Sequence, residues 1–367
     1  MKVLVSSVIG EPRDARTWSN ATAHLIAELE HLGVVVDTID NSQHVGRLAK
    51  LGLAGFSVLS GRNWHEYARS GPLRRRRQEA AASAFRKSAA DFLLCTSSID
   101  APAGYEIPYA LWIDDTWHLL NANPHAPRCN DSSFLEIDRL ERAAYQGAKC
   151  ILTFSEHVAA DAISHYGVQA QRVHVVGCGS GPIPALEADK TYANGHLLFV
   201  AKHIFDLKGG AVTLAAFEKV RAARPQTRLV VVGTDETARR LAGRDGVDAR
   251  GFVEREELNN LFHGAAMLVQ PMLIDPWGQV YLEAMKAKAL VVSWNYAAIP
   301  ELTDNGRLAG IVATATPDLI AAKVLELYNR PNDDLAAIAR EAQRRVLDRF
   351  AWPAVGRRVH DAILGTL

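Results

Sequence analysis

From residue 2 to the end of the chain, short apolar runs rich in β-branched residues alternate with longer stretches of helical periodicity. That alternation is the mark of α/β units built around parallel sheets. Strands are predicted at residues 2–9, 34–39, 92–96, 109–113, 150–154 and 173–176 in the first half. Helices are predicted between them at 17–32, 73–90, 134–146 and 156–166, and Gly33, Gly147 and Gly167 supply stops. The pattern then breaks at Gly177-Cys178-Gly179-Ser180-Gly181-Pro182-Ile183-Pro184, a density of Gly and Pro that marks a connector. It restarts with strands at 196–200, 228–232, 249–253, 267–270, 290–293 and 310–313. Helices are predicted at 210–222, 255–263, 278–288, 317–328, 333–350 and 352–364, with a loop at 301–306. The expected architecture is two doubly wound domains, 1–178 and 179–350, with a cleft between them and a final segment, 351–367, crossing back to the first. Ligands in such sheets bind at the carboxyl ends of the strands.

The 41 basic and 41 acidic residues cancel, so no global field points to nucleic acid. Cys95, Cys129, Cys150 and Cys178 stand far apart without zinc-finger spacing, which favours a reducing compartment over a disulfide framework. The first apolar run soon meets Glu11, Arg13 and Asp14 and reads as a buried strand rather than a secretory segment. No run approaches membrane-span length. The expectation is a cytoplasmic protein. Arg74-Arg75-Arg76-Arg77 lies in a predicted helix and reads as a solvated face, with peripheral membrane or anionic-acceptor contact as the alternative.

The stretch most informative about chemistry is Asp275-Pro-Trp-Gly-Gln-Val-Tyr-Leu-Glu283, followed by Ala-Met. Two carboxylates flank a Pro-aromatic-Gly turn that opens an apolar helix. The amides of Gly278, Gln279 and Val280 would be unpaired donors at the helix start, a ready anion site. The stretch resembles the E-x₇-E motif of the retaining nucleotide-sugar glycosyltransferases of family 4, where the pattern is Glu-Pro-Phe-Gly and then Leu-Glu-Ala-Met. Here Asp275 stands in place of the first Glu.

Further matches follow in order. Ala201-Lys202 and Lys208-Gly209 stand where the family has Gly-Arg and then Lys-Gly. Gly233-Thr234-Asp235 resembles its next turn, and Arg250-Gly251-Phe252-Val253 resembles the segment facing the nucleobase. Ala298-Ile299-Pro300-Glu301, Asn305-Gly306 and Phe350-Ala351-Trp352 also match its pattern. The first half departs more: Gly10 stands alone where the family often has a Gly-Gly loop. Asp114-Asp115-Thr116-Trp117-His118 stands where it often has His-Asp.

The resemblance implies the GT-B fold, two facing Rossmann-like domains, with the acceptor on the first and the donor on the second. It implies a metal-independent glycosyltransferase that retains anomeric configuration in polysaccharide or glycoconjugate synthesis. No cofactor is implied beyond a nucleotide-sugar donor, of UDP or GDP type, used as substrate. The acceptor would be a sugar, glycan, lipid-linked or small molecule. By the same resemblance Asp275 holds the transferring sugar and Glu283 the ribose. Lys202, Lys208 and the amides at Gly278, Gln279 and Val280 meet the diphosphate, where fixed positive groups stabilise the charge that develops on the leaving group. Gly251 and Phe252 face the base, Gly10 lines the site, and Asp115 and His118 are acceptor-side catalytic candidates, a satisfied surface histidine being the other reading of His118. Ser155 reads as a helix cap rather than a ligand. A non-catalytic nucleotide- or glycan-binding member of the fold is the alternative. A dehydrogenase would need G-x-G-x-x-G after the first strand, which Ser6 to Glu11 does not supply.

Overall fold

A computed structural model describes residues 1–42, 64–202 and 204–366. The chain divides into two compact units. Unit 1 is Met1–Gly179 with Trp352–Leu367, and unit 2 is Ser180–Ala351.

Unit 1 carries strands β1 (Lys2–Ser7), β2 (Val35–Asp40), β3 (Phe92–Cys95), β4 (Tyr109–Ile113), β5 (Cys150–Thr153) and β6 (Val173–Val175). They form one parallel sheet in the order β2-β1-β3-β4-β5-β6. β3, β4 and β5 are wholly buried, as expected of strands covered by helices on both faces. The helix Trp352–Leu364 packs on the helix Ala21–His31 of this unit, with the His24 and Trp352 rings stacked at 5.1 Å.

Unit 2 carries β7 (His196–Val200), β8 (Leu229–Val232), β9 (Val247–Arg250), β10 (Ala265–Val269), β11 (Leu290–Trp294) and β12 (Gly310–Val312). Its parallel order is β12-β11-β10-β7-β8-β9. The first and fourth strands of the unit are therefore neighbours, and the winding reverses between β7 and β10. Both units are Rossmann-like, and the α/β class expected from the alternation is what the structure shows. The core of unit 2 gathers Phe199, Phe217, Val231, Met267 and Val292 around that central pair.

Three local expectations need correction. The single helix expected at 17–32 is a 3₁₀ turn, Thr17–Asn20, followed by the helix Ala21–His31. Trp18, Ser19 and Asn20 take positive φ, and the Trp18 ring packs against Trp112 and Phe154 at 5.1 and 5.2 Å. Aromatic packing here overrides helical periodicity. The strand expected at 249–253 lies earlier, at Val247–Arg250. The solvated face expected for the arginine run is split. Arg75 and Arg76 are exposed, but Arg74 is 1% and Arg77 8% exposed. Arg74 Nη2 donates to Ser98 O at 2.5 Å and Arg77 Nη1 to Ala68 O at 3.0 Å. The helix Gly71–Ser88 has alanines at Ala81 and Ala82 against the sheet, so the long arginine stems fill the space at its N-terminal end.

Candidate functional site

At the reversal in unit 2, Gln270 follows the end of β10 and bonds with its side chain to β7. Its Oε1 accepts from Val200 N and its Nε2 donates to Val200 O, both at 2.9 Å. The amide thus extends the ladder past the last paired residues and fixes the two carboxyl ends side by side. Tyr281 Oη donates to Gln270 O at 2.6 Å, which ties the helix Gln279–Lys286 to the same point. Open sheets bind ligands at such a reversal.

The loops leaving the two strands are joined. Leu273 N and Ile274 N donate to Leu207 O at 2.9 and 3.2 Å. One residue further on, Lys208 Nζ donates to Asp275 Oδ2 in an ion pair. The other oxygen, Asp275 Oδ1, accepts from Trp277 N at 3.2 Å and Gly278 N at 2.8 Å. Sequence reasoning left the Gly278 amide open for an anion; here Asp275 accepts from it. Gly278 caps the helix at φ 76°, a conformation in which only glycine is unstrained, and a Cβ there would lie 2.4 Å from the Tyr281 ring. Gln279 and Val280 are half-buried at the first turn.

Glu283 lies a turn further along that helix. Burial raises its carboxyl to about 7, an effect that Lys286 opposes. A Cβ on Gly181 would lie 1.8 Å from Glu283 Oε1, so the backbone of the connector runs directly against the carboxylate. Lys286 Nζ holds that backbone by donating to Ser180 Oγ at 3.2 Å and Gly181 O at 3.1 Å. Gly181 was legible in the sequence only as connector composition. Nothing local signals its contact with Glu283.

The remaining donor-side candidates stand around the same end of the sheet. Lys202 is exposed in the loop after β7. Gly251 follows β9 and lies against Asp235, and Phe252 is 74% exposed, a large apolar ring without cover.

In unit 1, Gly10 follows β1 and lies close to Thr17. Asp114 and Asp115 leave the carboxyl end of β4 and line a small cavity together with Trp117 and Glu141. Burial, and next Asp114, push the Asp115 carboxyl well above the usual carboxylate range. Ser155 Oγ accepts from Val158 N at 3.3 Å, the cap role expected of it. His118 is not among the residues around that cavity. Its Nδ1 bonds Asp161 Oδ1 at 2.6 Å, and its ring stacks on His165 at 3.7 Å, which itself bonds Asp138. Glu141, which sequence reasoning missed, is the hub here. It accepts from Ser98 Oγ, Trp117 N and Tyr166 Oη at 2.5, 2.6 and 2.8 Å.

Among the described residues no group of His, Cys, Asp and Glu is arranged to hold a metal, and no helix is long and apolar enough to cross a membrane.

Residues 194–330 match the family described as glycosyl transferases group 1, a range that holds every donor-side candidate named above except Gly181. The chain is 25% identical over 212 residues to an MMP alpha-(1->4)-mannosyltransferase of Mycolicibacterium hassiacum, covering 56% of this chain and 51% of that protein. It is 28% identical over 207 residues to a phosphatidyl-myo-inositol mannosyltransferase of Propionibacterium freudenreichii, covering 55% of this chain and 52% of that one. The matched stretch spans about half the length of these curated relatives. A sucrose-phosphate synthase of Thermosynechococcus elongatus superposes with a TM-score of 0.74 at 17% identity, covering 98% of both chains. That likeness shows a shared GT-B fold, and the match to the group 1 glycosyl transferases covers residues 194–330.

Proposed function

We propose that this chain is a nucleotide-sugar-dependent glycosyltransferase, moving a hexosyl group from a UDP- or GDP-linked donor to a sugar, glycan or lipid-linked acceptor with retention of configuration. The carrying observation is the meeting of Lys208 and Asp275 at the winding reversal of unit 2. The group 1 match and the two mannosyltransferase relatives support the same reading.

In the reaction the bond between the anomeric carbon and the terminal phosphate oxygen breaks, and its electron pair leaves on the diphosphate. The acceptor oxygen bonds to that carbon and gives its proton to the departing diphosphate oxygen. Lys208 is the cation placed to meet the charge growing on the leaving group, with exposed Lys202 beside the same loop. The diphosphate then competes with Asp275 for Lys208. As Lys208 turns to phosphate, Asp275 Oδ2 becomes available to a hydroxyl of the sugar, while Oδ1 keeps the turn closed on the Trp277 and Gly278 amides. Glu283 accepts from the ribose hydroxyls, and the exposed Phe252 ring and the Gly251 backbone offer a surface to the base. Asp115 stands on the acceptor side. The pairing and stacking of His118 favour a scaffold role for that residue.

The test is donor turnover. The chain is incubated with UDP-glucose and with GDP-mannose, and release of nucleoside diphosphate is followed with and without a panel of sugar acceptors. Binding of UDP or GDP with no turnover under any condition would favour the non-catalytic alternative. Proton NMR of the product's anomeric signal decides retention.

A further inference from the structure

Unit 1 holds a cavity of about 80 Å³ at the carboxyl ends of β3 and β4, which the donor-binding reading of unit 2 leaves unused. The strand order places the loop after β3 at this unit's own winding reversal, between β1 and β3. The residues that matter are Thr96, Asp114, Asp115, Trp117, Glu141 and Arg69. Three are acids and one is a cation.

Among the described residues, three buried polar atoms around the cavity have no hydrogen-bonding partner, Thr96 Oγ1, Trp117 Nε1 and Tyr145 Oη. Thr96 and Trp117 are each 4% exposed. The indole is held in place: its own backbone amide donates to Glu141 Oε2 at 2.6 Å, and the Arg69 guanidinium lies 5.2 Å above its ring. Its N–H is therefore fixed in position and unsatisfied, a costly state for a buried donor.

The chemistry of these groups selects a ligand. An indole N–H only donates, so its partner must accept. A carboxylate only accepts, and a protonated carboxyl, the form that burial favours at Asp115, can also donate, so the acids can serve a hydroxyl in either sense. A hydroxyl does both, and the Thr96 hydroxyl can serve it in either sense. An ammonium group would satisfy the acids and leave Trp117 Nε1 unpaired. A phosphate oxygen would satisfy Trp117 and stand among acids, where like charges repel strongly in a poorly solvated space. The pressure that raises the Asp115 carboxyl, burial beside Asp114, is the pressure an incoming anion would meet.

We propose that this cavity receives a hydroxyl-bearing, phosphate-free portion of the acceptor, so that the substrate class is a neutral sugar or polyol rather than a phosphate ester. The word acceptor rests on the glycosyltransferase reading, whereas the ligand chemistry rests on unit 1 alone.

Saturation-transfer NMR on the full chain tests it, with glucose and myo-inositol as neutral probes and glucose 6-phosphate as the anionic one. At least one neutral probe is expected to bind, and glucose 6-phosphate at least about tenfold more weakly than glucose, the scale of one unfavourable charge contact. Trp117→Phe keeps an aromatic ring but removes the N–H together with the five-membered ring, and Thr96→Val keeps the shape and removes the hydroxyl. Each is expected to weaken the neutral probe about fivefold or more, the loss of one buried hydrogen bond. Both variants should stay folded by circular dichroism and keep wild-type affinity for UDP or GDP, whose proposed site lies in unit 2. Equal or tighter binding of glucose 6-phosphate overturns the proposal. So does unchanged affinity in both variants, and so does failure of both neutral probes to bind. Nucleotide affinity measured on the same samples separates the two readings. Its absence removes the glycosyltransferase assignment, while selective binding of neutral probes stands or falls by itself.

Discussion

Gly181 and Glu283 are packed so closely that a methyl group on Gly181 would lie 1.8 Å from Glu283 Oε1 and 2.6 Å from its carboxyl carbon. The carboxylate is the far end of a side chain and can swing away, so Gly181→Ala should fold. What changes is where the carboxylate points. Nucleoside diphosphate affinity should fall about tenfold, the scale of one charge-assisted hydrogen bond, with a melting temperature within a few degrees of wild type. Calorimetric titration of UDP and GDP checks this. Wild-type affinity in Gly181→Ala would show that Glu283 does not hold the ribose.

Glu283 also sets a pH dependence. Burial raises its carboxyl from 4.5 to about 7. The folded state thus favours the protonated acid. The stability it contributes is present below the ordinary carboxyl value and is lost as pH rises through about 7. Nucleotide binding runs the other way, because ribose hydroxyls prefer the ionised acceptor. Affinity should rise by roughly tenfold between about pH 6 and pH 8, the change in ionised fraction across a group titrating near 7. Glu283→Gln should bind weakly and with a flat profile over that range. A wild-type profile already flat from pH 6 to 8 would contradict the ionised-acceptor role.

The Lys208 and Asp275 pair can be separated by its two kinds of bond. Lys208→Ala should weaken UDP or GDP binding by about 10- to 100-fold, the range for a charge-assisted contact, and leave the nucleoside nearly unaffected. Asp275→Asn keeps one oxygen to accept from the Trp277 and Gly278 amides while removing the charge paired to Lys208. It should bind free nucleotide at least as well as wild type, since Lys208 loses its competitor, and transfer sugar poorly. An interaction realised as the sugar departs appears in kcat rather than KM. If Asp275→Asn loses nucleotide affinity as Lys208→Ala does, Asp275 supports the loop and not the sugar.

Most elements of both units were legible because most strands are compact apolar runs and many helices are bounded by Gly or a side-chain cap, whereas the short helices Trp117–Ala122, Asp235–Leu241 and Ile299–Leu302 were not. β4, β7 and the helix Pro317–Tyr328 fall where the pattern puts them. Lys208, Asp275 and Glu283 were legible because they lie in short strings with a local chemical sense. What was hidden is what depends on strand order. Gln270 acts only because β10 lies beside β7, and Gly181 matters only because the connector returns to the helix bearing Glu283. Trp18 was hidden for a related reason, since its partners Trp112 and Phe154 come from β4 and the end of β5. Glu141 looked like any acid on an amphipathic helix, and its three bonds come from Ser98, Trp117 and Tyr166.

The arginine run gives the sharpest test of burial against composition. Four identical neighbours would behave alike if they formed a solvated face. In the fold Arg75 and Arg76 are exposed, so Arg75→Ala and Arg76→Ala should each change stability by no more than about 0.5 kcal/mol, as surface substitutions do. Arg74 is enclosed. Burial lowers its pKa, Glu141 opposes that shift, and among the described residues its Nη2 alone is satisfied, by Ser98 O. Arg74→Ala removes a large buried side chain, opens a cavity, and leaves Ser98 O and the nearby Glu141 without the cation. The expected loss is about 3 kcal/mol or more, the scale for breaking a buried charged contact. Arg74→Met fills the same volume without the two unsatisfied nitrogens and should recover at least half of that loss, as apolar replacement of buried charge often does. Urea unfolding midpoints of the four variants, followed by near-ultraviolet circular dichroism, give the comparison. Equal midpoints for Arg74→Ala and Arg75→Ala would return the run to the solvated face that its composition suggests.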